Sequence, residues 1–201
     1  LFYFPGGVDL LKFNYKKFIN VKKENTIGYV GQIKSIIDQD LIIKIAESFP
    51  KFNIKLIGPI ATNIDKFKSI KNIKIIGSVK HKNIPKYISK FRVAIIPYIK
   101  NDYTNSISPA KLNEYLAMGV PCVSTNLNEI NHFNKKNKKL IYLSNNNKDF
   151  VNHISSILKM SKNHLKKLKT KSINQASSYD WNILFKRFNE ICESNFISPK
   201  I

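Results

Sequence analysis

The sequence predicts an α/β protein, a doubly wound domain built on a parallel sheet. Two observations carry that prediction. Short runs of consecutive apolar, often β-branched residues recur along the chain, as strands buried on both faces require. Amphipathic stretches of helical period lie between them, and strands alternating with helices imply right-handed βαβ crossovers. A third observation bounds the sheet: after Lys159 the strand pattern stops and two helices close the chain.

Taken in order, the expected strands are Thr26–Val30, Asn53–Ile57, Ile73–Ile76, Val93–Pro97, Pro121–Ser124 and Leu140–Leu143. The expected helices are Asp38–Phe49, Asn83–Lys90, Ser108–Met118 and Asp149–Lys159, followed by Lys162–Ala176 and Asp180–Glu193. Ser108 suits an N-cap and Pro109 a first helical turn, where a missing N–H costs nothing. Gly119 suits a left-handed helix end, and Pro121 stops any continuation. Asp180 suits the N-cap of the last helix. Trp181, Leu184, Phe185 and Phe188 fall at helical spacing and form one apolar face, which reads as packing.

Composition excludes several classes. The chain has 201 residues, enough for one large domain with a proper core or for two small ones. Hydrophobic residues at 43% and charged residues at 23% are ordinary for a globular protein and argue against disorder. No run approaches the roughly 20 apolar residues of a membrane helix. Cys122 and Cys192 stand far apart without metal-ligand spacing, so neither a disulfide framework nor a metal site is expected, and a reducing cytoplasmic setting fits. The apolar opening Leu1–Phe4 stops at Pro5-Gly6-Gly7, too soon for a signal peptide. The absence of an initiating methionine predicts a piece of something longer.

The formal net charge of +21 is the unusual feature. Only Arg92 and Arg187 among the 34 basic residues are arginine, whereas base reading usually rests on the guanidinium fork. No nucleic-acid partner is therefore expected. Between Lys135 and Lys171 stand eleven lysines and one acid, Asp149. Such a block could draw the chain to anionic lipid head groups at the inner membrane face, although a solvated helix face accounts for it more simply.

In a doubly wound sheet, ligands gather at the carboxyl ends of the strands. Three loops there carry suggestive residues. Gly31-Gln32-Ile33-Lys34 offers a glycine for close approach of backbone to a phosphate, and a cation in Lys34. Gly77-Ser78-Val79-Lys80-His81 follows the third strand, and His81 could meet a nucleobase or simply lie exposed. Tyr98–Ser108 feeds a helix that begins with free N–H groups and places Lys111 in its first turn, against the helix dipole unless an anion binds. Glu114 lies on the same face, so cation and carboxylate could serve a nucleoside diphosphate, or merely form a surface ion pair. No Ser-His-Asp set, HExxH or Walker loop is present.

These residues match a known family. Phe4-Pro5-Gly6-Gly7-Val8-Asp9 with Phe13 resembles the Pro-Asn-Gly-Val-Asp…Phe linker that opens the second domain of the group 1 glycosyltransferases, which have the GT-B fold. Ile27-Gly28-Tyr29-Val30-Gly31 looks like that domain's first strand. Ile73–Gly77, Ile84–Tyr87 and Val93–Pro97 resemble its later strand-helix-strand unit. The stretch from Ser108-Pro109-x-Lys111-Leu112-x-Glu114 to Pro121-x-Val123-Ser124-Thr125 is similar to its donor-site helix and next strand. Ser178-Tyr179-Asp180-Trp181 resembles the start of its terminal helix.

The resemblance implies the Rossmann-like, donor-binding half of a transferase of hexosyl type. It would move a sugar from a UDP- or GDP-type donor to a glycan or lipid-linked acceptor held by an amino-terminal domain, as in polysaccharide biosynthesis. The implied division is a linker over 1–25, a nucleotide-sugar-binding domain over 26–160, and helices over 161–201 that pack on it and toward the missing domain. Glu114 would hold ribose hydroxyls; Ser108, Lys111 and helix amides would hold the diphosphate; Gly31, Lys34 and Val79 would complete the donor-binding set. Neither cofactor nor metal is implied, and the chain alone would bind donor without turnover. Three positions, in two places, depart from the family pattern. An acid eight residues before Glu114 is replaced by Ser106, and an arginine and lysine near the first glycine by Gln32 and Asp38. These leave the catalytic residues and the retaining or inverting outcome open. A GT-B-shaped nucleotide-sugar epimerase and a basic nucleic-acid module are the competing readings.

Overall fold

The computed structural model describes residues 4–137 and 139–194. Leu1–Tyr3 of the expected linker, Lys138 of the lysine block and residues 195–201 of the expected carboxyl-terminal helices lie outside the described residues.

The chain enters as a loop with one 3-10 turn at Tyr15–Phe18 and then forms β1 (Thr26–Val30), whose five residues are all buried. Asp38 caps α1 (Gln39–Ser48), its carboxylate accepting from the Leu41 N–H at 2.8 Å. β2 (Asn53–Ile57), β3 (Ile73–Gly77), the short α2 (Ile84–Ile88) and β4 (Val93–Ile96) follow. Next come α3 (Asp102–Asn105), α4 (Lys111–Ala117), β5 (Cys122–Thr125), α5 (Asn128–Lys136) and β6 (Tyr142–Ser144). Three helices end the described chain: α6 (Asn147–Leu158), α7 (Lys162–Ser177) and α8 (Trp181–Cys192).

All six strands are parallel, in the order β3-β2-β1-β4-β5-β6. The winding therefore reverses between β1 and β4, the doubly wound pattern expected. Helices cover the sheet; α1 packs with α6, and α4 with α7. β4 is fully buried, as a central strand of such a sheet must be.

Several local expectations change. The helix expected from Ser108 starts later. Its N-cap is Ala110, already helical at φ −51° and ψ −35°, with no side-chain cap bond. Ser108 is thus not the cap; the turn is closed instead by the Leu112 N–H on the Pro109 carbonyl at 2.9 Å. Gly119 does end this helix in the left-handed region, at φ +61°. A Cβ there would meet Lys169 Cγ at 2.5 Å and Ile173 Cδ1 at 3.0 Å, so α7 packs down on that glycine.

The last strand begins at Tyr142 rather than Leu140. The Asn134 side-chain amide grips both backbone groups of Ile141, at 2.8 Å each, and so takes the place of a neighbouring strand. Asp180 caps α8, accepting from the Asn182 N–H at 2.8 Å. The apolar face of α8 packs only in part. Leu184 is 2% exposed, but Trp181, Phe185 and Phe188 are 37%, 57% and 47% exposed. The incoming loop is tied to this helix, because the Val8 N–H donates to the Tyr179 carbonyl and the Trp181 N–H to the Val8 carbonyl.

Candidate functional site

At the carboxyl edge of the sheet a cleft of about 380 Å³ opens beside the point where the winding reverses. Its floor is made by the loops that leave β1, β2 and β3, and its wall by the start of α4. Two glycines make the floor possible. Gly31 and Gly58 adopt φ +136° and +146°, outside the reach of ordinary residues. A Cβ on Gly58 would stand 2.2 Å from the Gly31 carbonyl oxygen, so the two backbones are pressed together. The Gly31 N–H donates to the Ile57 carbonyl at 2.8 Å and the Gly58 N–H to the Gly77 carbonyl at 2.9 Å, which laces the three strand ends.

Lys111 leans from α4 across Gly31. Its Nζ donates to the Tyr98 hydroxyl at 2.5 Å and lies 5.0 Å and 5.2 Å from the ring centres of Tyr98 and Tyr29. The tyrosines hold the ammonium by their negative ring faces without neutralising it. Glu114, one turn deeper and 17% exposed at its side chain, turns to His81, with 3.4 Å between Oε1 and Nε2. The surface Lys111–Glu114 ion pair weighed from the sequence is not among the ion pairs of the described residues. Burial pushes the Glu114 carboxyl above its usual range, while His81 and the charges of Lys111 and Lys12 pull it back.

α4 is itself fixed by buried contacts. The Tyr115 hydroxyl accepts the Val30 N–H at 2.9 Å, so the last residue of β1 is tied to the helix. Burial raises the Tyr115 hydroxyl well above its ordinary range, which keeps it neutral in this role. On the helix's other flank, Asn113 donates to the Gly6 carbonyl at 2.7 Å.

Of the residues singled out in the sequence, Gly31, Val79, Lys111 and Glu114 line the cleft together. Lys34 stands aside, its Nζ 3.3 Å from the Tyr103 hydroxyl and 5.5 Å from that ring's centre. Ser108 lines a separate crevice with Gly6 and Tyr179. Sequence reasoning missed Tyr29, Tyr98 and Gly58, and gave His81 no partner. Tyr98 had a usable signal: it stands just beyond the carboxyl end of its strand. His81 had none, because its partner is 33 residues away.

Among the described residues there is no group of three or more His, Cys, Asp or Glu side chains that could hold a metal ion, and no helix is long and apolar enough to cross a membrane.

Comparison with known proteins gives the family and the fold. The family described as Glycosyl transferases group 1 matches residues 12–175. The chain is 29% identical over 165 residues to TuaH of Bacillus subtilis (strain 168), provisionally named a teichuronic acid biosynthesis glycosyltransferase. That match takes in 80% of this chain and 41% of TuaH. Among solved structures, a sucrose-phosphate synthase from Thermosynechococcus elongatus superposes with a TM-score of 0.76 at 14% identity, over 96% of this chain and 52% of that one. Anabaena HepE in complex with UDP-glucose gives 0.69 at 13% identity, over 94% and 56%. The chain thus spans about half the length of the proteins it matches.

Proposed function

Because the chain belongs to the group 1 glycosyl transferases, we propose that it is the donor-binding half of an enzyme that transfers a sugar from a nucleoside-diphosphate sugar. The acceptor in this reading is a glycan or a lipid-linked saccharide. One observation carries the reading: an unneutralised ammonium, Lys111, and a sheltered carboxylate, Glu114, share one cleft at the carboxyl edge of the sheet. The complexes of HepE with UDP and UDP-glucose, on a similar fold, support it.

Each group then has a physical task. Lys111 meets the diphosphate above Gly31, where the missing side chain lets phosphate oxygens approach backbone. The aromatic cradle fixes the ammonium before the ligand arrives, so little side-chain freedom is lost on binding. As the sugar–phosphate bond breaks, negative charge grows on the leaving diphosphate, and a cation already in place stabilises it. Positive side chains take that task in this reading, and no metal is invoked. Glu114 is acceptor-only when ionised, and paired ribose hydroxyls would satisfy its oxygens better than His81 alone. Val79 offers an apolar wall, and Lys34 can swing from Tyr103 toward the phosphates.

Titration calorimetry with UDP and GDP tests this. Glu114→Ala should weaken binding of the preferred nucleotide about 10- to 100-fold, the loss of a charge-assisted hydrogen bond. Lys111→Met should weaken UDP binding by a similar factor, yet leave uridine binding nearly unchanged. Failure of both nucleotides to bind the wild-type chain, or equal binding by wild type and Glu114→Ala, would overturn the assignment.

A further inference from the structure

A second cavity, of about 590 Å³, opens at the opposite, amino edge of the sheet. Lys23, Arg92, Lys162, Lys166 and Lys169 surround it, arriving from the segment before β1, the residue before β4, and α7. No acidic residue lines it, and none of these five cations is in an ion pair among the described residues. One wall is apolar: Ile157, Leu158, Met160 and Leu165, where α6 runs into α7.

The cations are brought together by packing. The stem of Lys169 lies over Gly119, and its Nζ sits 4.8 Å from the centre of the Tyr15 ring. Lys23 lines the cavity together with Lys169. Burial first, and the charge of Lys169 second, lower its pKa to about 8. Like charges gathered without a counter-charge are the local conflict that a bound anion relieves.

We propose that this cavity takes the phosphate of an anionic membrane lipid, with the cations on the head group and the α6–α7 wall against the first carbons of the tail. A free phosphate would satisfy the cations and leave the apolar wall unused, whereas a lipid uses both. Lys167 and Lys171, exposed on the same helix, extend the positive field beyond the cavity. Because the cavity opens at the amino edge, its occupation leaves the carboxyl-edge cleft free. The inference does not depend on what that cleft binds.

Co-sedimentation of the chain with phosphatidylcholine vesicles, with and without phosphatidylglycerol, tests it. Lys23→Gln combined with Lys169→Gln should lower partitioning onto the anionic vesicles about thirtyfold. Lys167→Gln combined with Lys171→Gln removes the same charge outside the cavity and should lower it by about fivefold or less. Lys23→Arg with Lys169→Arg should retain binding, and thermal melts should show both Gln pairs folded. Equal losses for the two Gln pairs would mean attraction by diffuse charge and overturn the proposal. A short-chain phosphatidylglycerol should also bind more tightly than glycerol 3-phosphate in calorimetry. Equal affinity for these two would mark a soluble-phosphate site and overturn it as well.

Discussion

The two edges of the sheet handle charge in opposite ways. At the carboxyl edge each charged group has a placed neighbour: Lys111 has two tyrosines, and Glu114 has His81. The backbone beneath them is locked by glycines that accept no side chain. At the amino edge, charge is gathered by number. Glu24 holds Lys55 at 2.6 Å and Lys90 at 2.8 Å, and the neighbouring cavity gathers five cations with no acid. One edge is built by geometry and the other by electrostatics. Substitutions of the locked backbone and its buried ties at the first should therefore have large, salt-insensitive effects on stability, and those of the paired charges at the second smaller effects that salt screens.

Gly58→Ala should break the carboxyl edge most severely. The new methyl would meet the Gly31 carbonyl on a backbone that disfavours side chains, a loss of about 2–4 kcal/mol measurable by urea unfolding. A loss under about 1 kcal/mol would mean that the loops are not locked. Tyr115→Phe should come next, at about 1–3 kcal/mol, because the Val30 N–H is left buried without an acceptor.

Glu24→Gln sharpens the contrast from the other side. This half-exposed carboxylate should contribute at most about 1 kcal/mol at neutral pH, and less in high salt. Its lysine partners lower its pKa from 4.5 to about 2. The contribution is thus complete above pH 4.5 and fades as pH falls toward 2, where variant and wild type should converge. Glu114→Gln should give the smallest change, and of opposite sign. Burial raises the Glu114 carboxyl, so the folded state keeps a proton that the unfolded chain releases, and stability falls as pH rises through that window. Above it the variant should melt slightly higher than wild type while binding UDP less well.

The fold was legible because its signal is local. Buried parallel strands such as Thr26–Val30 and Val93–Ile96 announce themselves by unbroken apolar runs. α5 was not legible, since Ile130 and Phe133 are the only apolar residues among its nine. α3 was missed because its capping box closes with Thr104, where the familiar pattern has an acid or amide. At the site, Lys111 and Glu114 could be paired because they share one helix. Tyr29 could not be joined to them, because an aromatic residue inside a buried strand looks the same whether it fills core or cradles a cation. Ser108 shows the converse: a sound local capping signal gave way to a turn closed by the carbonyl of the buried Pro109.

The seven-residue helix α4 starts at the cleft with Lys111 and leads straight to Gly119 beneath the stem of Lys169. It is a strut about 10 Å long, tied to β1 through Tyr115 in its second half and loaded just beyond its last residue by α7. Any side chain at position 119 would prise α7 outward and strain the same rod that aims the ammonium of Lys111. The two rims of this protein therefore cannot be redesigned independently.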